Sequence, residues 1–84
     1  MNRFAKILEV DGYQILVYID TDAEKDQSQL HQIVGVNGGT VHMTTSYAVE
    51  LPIEETLALI DEAWARKFLN RDMVKASIEI LEDV

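Results

Sequence analysis

Two histidines, His31 and His42, are the residues of this chain best suited to bind a metal or move a proton, because imidazole does both near neutral pH. They fall in two strand-like runs around Asn37-Gly38-Gly39. If Asn37-Gly38 forms the turn, they become diagonal neighbours on one face, roughly 7 to 8 Å apart between backbones. The residues near them, Thr40, Thr44 and Ser46, are poor third ligands, so the expectation is no metal and no cofactor. Ser46, Thr44 and His42 share that face at two-residue spacing, which resembles a nucleophile with its base, but no Gly-x-Ser-x-Gly elbow is present. Gly38-Gly39 lacks the following Lys-Ser/Thr of a phosphate-binding loop.

Asp20, Asp22, Glu24 and Asp26 alternate like the first half of a calcium loop, yet Lys25 stands where the sharp turn needs glycine and His31 where the closing glutamate belongs. They read as a solvated acidic loop. With Asp61 and Glu62 they form the acidic surface that a basic partner protein would meet. Trp64 and Phe68 read as core, because they continue an apolar helical stripe.

The elements that position these residues follow from turn chemistry and period. Phe4–Val10 and Tyr13–Ile19 flank Asp11-Gly12, a dipeptide suited to a type I′ hairpin turn. That turn pairs Val10 with Tyr13, Leu8 with Ile15, Lys6 with Val17 and Phe4 with Ile19 on one face. A polar connection, Asp20–Gln29, leads to a second hairpin of Leu30–Val36 and Thr40–Val49, whose register the extra Gly39 leaves open. There Leu30, Val34, Val36, Val41, Met43 and Tyr47 form the inward face. After Pro52 the period changes: Ile53, Leu57, Ile60, Trp64 and Phe68 make one helical stripe. Asn70 is the expected N-cap of a second helix, Arg71–Glu82, although Val74, Ala76, Ile78 and Ile80 also alternate as a strand would. The expectation is a single α+β domain over residues 1–84: an antiparallel sheet of two consecutive hairpins (ββββ), then two C-terminal helices packed on one face.

Composition narrows the function. Fifteen acidic against seven basic residues give a net charge of −8, which opposes phosphate neutralisation, so nucleic acid is not an expected partner. No apolar run reaches membrane-spanning or signal-peptide length, so no membrane association is expected and the assignment is cytoplasmic. There is no cysteine, hence no disulfide or thiolate chemistry.

Two helices cover one sheet face only, which leaves Ile7, Leu16 and Tyr18 on the other as a surplus apolar patch. The functional expectation is a small acidic non-enzymatic protein–protein interaction module. It self-associates as a homodimer through that patch, with a role as inhibitor or regulator at a basic partner surface. The alternative is a small enzyme or a metal- or ligand-binding protein using His31 and His42 at a subunit interface.

Overall fold

The computed structural model describes residues 5–83. Four strands, β1 (Ala5–Val10), β2 (Tyr13–Asp22), β3 (Gln27–Val36) and β4 (Gly39–Tyr47), pair antiparallel in chain order. Three helices follow, α1 (Ile53–Leu59), α2 (Glu62–Leu69) and α3 (Asp72–Glu82).

Both expected turns form. Asp11 and Gly12 have φ of 53° and 86°, Asn37 and Gly38 φ of 51° and 84°, the paired positive values that a type I′ hairpin requires. The first register is as expected from Val10↔Tyr13 to Lys6↔Val17, while the Phe4–Ile19 pair lies outside the described residues. The second hairpin closes at Val36↔Gly39 with Val34 opposite Val41. Gly39 is therefore outside the turn. A Cβ there would lie 3.0 Å from Leu81 Cδ2, so the glycine lets α3 approach the start of β4.

The connection expected over Asp20–Gln29 is mostly strand. Asp20↔Gln29, Thr21↔Ser28 and Asp22↔Gln27 are paired, and only Ala23–Asp26 turn, with Asp26 at φ 52°. Polarity misled here because ladder hydrogen bonds are made by backbone, and charged side chains on an uncovered face stay in water.

Among the described residues the helix count is three, not two. The stripe from Ile53 to Phe68 breaks at Ile60, whose φ of −89° and ψ of 96° are extended, and Asp61 starts α2 afresh by accepting a hydrogen bond from Trp64 N at 2.9 Å. Ile60 stays buried, so the inward stripe survives the break. Asn70 ends α2 rather than beginning α3: its Nδ2 donates to Arg66 O at 2.8 Å. Residues 72–82 are helix, with Val74 and Ile78 in the core.

The core lies between one sheet face and the helices. Ile15, Val17, Ile19, Leu30, Val34, Val36 and Val41 meet Leu57, Ile60, Ala65, Phe68, Leu69, Val74 and Ile78. Phe68 is fully buried, Trp64 half-buried with its ring stacked on Phe68 at 5.5 Å, and Tyr47, expected inward, is 38% exposed at the end of β4. Lys6 is the charged member of the inward face: its Nζ donates at 3.1 Å to Leu57 O, a carbonyl at the end of α1 that also accepts from Ile60 N. Ser28, also buried, accepts from Leu51 N at 2.8 Å and ties the start of the helical layer to β3. None of the described helices is long and apolar enough to cross a membrane.

Candidate functional site

All three helices pack on the same side. α3 docks at the hairpin ends, with Asn37 Nδ2 donating to Leu81 O at 3.2 Å and the Tyr13 hydroxyl donating to Glu82 Oε1 at 3.1 Å. That contact, with burial and the nearby Glu82 charge, raises the Tyr13 phenol above its ordinary 10.0. Among the described residues nothing from the helical layer crosses to the other face of the sheet, so the C-terminal segment does not cover it.

The strand registers lay that open face out in rows. Ile7, Leu16, Ile33 and His42 lie side by side across β1 to β4; the next row is Ala5, Tyr18, His31 and Thr44. Glu9 and Gln14 flank one side, and Asp20, Gln29 and Ser46 the other. Ile7 is 62% exposed, and Leu16, Tyr18 and Ile33 are half-buried. The expected residues Ile7, Leu16 and Tyr18 thus form one patch. Ile33 completes it, and its parity with His31 is the sequence signal that could have added it.

The histidines come closer than backbone spacing alone implies. His31 Nδ1 and His42 Nε2 are 3.0 Å apart, with ring centroids at 5.3 Å. Such a contact requires one nitrogen to carry hydrogen and the other a lone pair. Tyr18 stacks flat on His31, centroids 4.4 Å apart and planes 4° from parallel, which fixes that ring. On its far edge His31 Nε2 lies 3.1 Å from Asp20 Oδ2, within ion-pair distance but off the line of a hydrogen bond. The His31 side chain is only 12% exposed. Asp20 joins the group because β2 and β3 pair beyond Ile19, the stretch that reads as loop from sequence.

Asp20 and His42 approach opposite edges of the His31 ring, so the three do not converge on one point. Among the described residues no set of three or more His, Cys, Asp or Glu could hold a metal ion. Thr44 Oγ1 is 3.5 Å from His31 Nδ1, at the limit of contact, and Ser46 lies in the next row beside Gln29. Neither geometry activates a nucleophile.

The acidic residues divide between two layers. Asp20 and Asp22 lie on β2, and Glu24 and Asp26 in the turn after it, where Asp22 Oδ1 accepts from Lys25 N at 3.3 Å. Asp61 and Glu62 belong to the helical layer, Asp61 as the cap of α2 and Glu62 paired with Arg66, which also reaches Asp11 at 3.6 Å. The clefts are shallow and open to solvent: 190 Å³ between the Asp11 turn and α3, 330 Å³ beside Ser28 and Tyr47, and 390 Å³ between Tyr13, Asn37 and Glu82. No protein-family model, curated protein or solved structure matches this chain.

Proposed function

We propose that this protein is a non-enzymatic interaction module that pairs with a second copy of itself through the open face of its sheet. The observation that carries this reading is the one-sided helical layer: among the described residues no helix covers the contiguous apolar group Ile7, Leu16, Tyr18 and Ile33. Antiparallel sheets commonly keep one face in water, but such a face then reads polar, whereas here Ile7, Leu16 and Ile33 lie side by side with Tyr18 next to them.

A two-fold axis lying in the interface and running across the strands, between the two central rows, preserves strand order while exchanging those rows. Leu16 then meets Tyr18 of the second copy, and Ile33 meets its His31. Gln14 meets Asp20, so no like charges oppose each other next to the centre. Two sheets packed in this way are an aligned sandwich, with faces roughly 10 Å apart. Three rows of four described residues and one of three cover roughly 500 Å² in plan on each copy, so with side-chain relief the pair reaches the lower end of specific interfaces, roughly 1,200 Å² in total. The polar residues around the patch form its rim.

Sedimentation over a range of concentrations tests the reading. The wild type should dimerise, and Leu16→Lys should give a folded monomer, because each dimer would bury two ammonium groups at several kcal/mol apiece. Leu16→Lys that still dimerises, or a wild type that stays monomeric in all conditions, would refute it.

A further inference from the structure

The same axis brings the histidine pairs of two copies together, and this inference rests on the open-face pairing proposed above. We infer that His31 Nδ1 and His42 Nε2 form half of a metal site, completed by the same two atoms of a second copy, and that the ion is a divalent transition metal of the zinc type.

Four observations point there. His31 Nδ1 and His42 Nε2 are 3.0 Å apart and face each other as a hydrogen-bonded pair. Two nitrogens bound to one tetrahedral zinc at 2.0–2.1 Å lie about 3.3 Å apart with both lone pairs aimed at the ion, so a few tenths of an ångström of separation and a rotation of both rings toward a common point turn the mutual contact into a two-toothed ligand. Second, the carboxylate of Asp20 stands 3.1 Å from His31 Nε2, the edge that faces away from His42. A carboxylate behind a ligating imidazole holds hydrogen on the far nitrogen and leaves the near one its lone pair, the arrangement that usually supports a metal-bound histidine. Third, His31 Nε2 is buried without a hydrogen bond of proper geometry, so this edge gains from whatever draws Asp20 into line. Fourth, Tyr18 stacked at 4.4 Å holds the ring before any ion arrives.

One chain supplies two ligands, fewer than the three or four that zinc takes from protein. A two-fold axis between the row of His42 and the row of His31 doubles them to four imidazole nitrogens at the centre of the β3–β4 half of the interface. Imidazole sets of this kind suit zinc, nickel and copper, whereas calcium and magnesium require oxygen. The net charge of −8 per chain favours a cation between two copies that would otherwise repel each other.

The test uses the full chain, stripped with a chelator and then titrated with Zn²⁺, or with Co²⁺ as a visible probe. Sedimentation should show dimerisation strengthened at least tenfold by metal, at one ion per two chains, and Co²⁺ should give the strong visible bands of tetrahedral coordination. His42→Ala, at an exposed position, should abolish both effects while the fold persists. Asp20→Asn should weaken metal binding 10- to 100-fold without removing either ligand. Binding of one ion per chain, octahedral Co²⁺ spectra, or metal-dependent dimerisation that survives His42→Ala would each overturn the inference. A dimer that Leu16→Lys dissociates but that ignores chelator and Zn²⁺ alike would overturn the metal site and leave the open-face reading standing. A chain that stays monomeric with and without metal would overturn both.

Discussion

Gln32 offers the sharpest test of the packing that leaves one sheet face open. It lies on the inward side of β3, opposite Val17 and Met43, and is 1% exposed. Its Oε1 is buried and has no hydrogen-bond partner among the described residues. A buried acceptor left unsatisfied costs about 1–3 kcal/mol, and methionine matches glutamine closely in length and volume while removing the amide. Repacking around a volume-conserving change costs less than about 1.5 kcal/mol. Gln32→Met should therefore stabilise the protein by about 1–2 kcal/mol. For a domain of this size that raises Tm by about 5–15 °C. Thermal unfolding followed by circular dichroism and urea unfolding at fixed temperature should agree in sign. Gln29→Met on the opposite, exposed face of the same strand should change stability by less than about 0.5 kcal/mol. A destabilised Gln32→Met, beside a neutral Gln29→Met, would mean that the glutamine amide is satisfied and that the inward face of β3 is packed differently.

The remaining expectations follow from single contacts. Phe68→Ala should cost about 3–5 kcal/mol in urea unfolding, a large share of the roughly 5–15 kcal/mol such a domain has, with half-buried Trp64→Ala costing less. Asp61→Ala removes the cap on Trp64 N and should cost about 1 kcal/mol, whereas Asp61→Asn, which can still accept that bond, should cost only a fraction of it. The Tyr13 phenol should ionise above 10.0 in an ultraviolet absorbance titration, and Glu82→Gln should bring it down, since its hydrogen bond with Glu82, then burial, then the Glu82 charge raise it. Because the folded value is the raised one, the contact's stabilisation is complete below the ordinary tyrosine range and is lost as pH rises through the folded value.

The amino-acid sequence by itself determined the local geometry and the sidedness of most elements. Asp11-Gly12 and Asn37-Gly38 accept positive φ at both turn positions, and that alone sets the register of two hairpins and the inward face of all four strands. The diagonal placement of His31 and His42 follows from the second register. The continuous stripe after Pro52 places the helices inward, but it carries no sign of their break, since Ile60 points inward whether or not the backbone is helical and Asp61 serves equally as an exposed helical residue or a cap. Tertiary structure decided the rest. The pairing of Asp20 with Gln29 depends on backbone hydrogen bonds that side-chain polarity does not report, and only that pairing sets the Asp20 carboxylate against His31. The role of Gly39 becomes visible only when Leu81 arrives beside it. The open face was decided last of all: the period of residues 72–82 permits helix or strand on either side. Val74 and Ile78 settle in the core that also holds Val36 and Val41, where burial removes their apolar side chains from water.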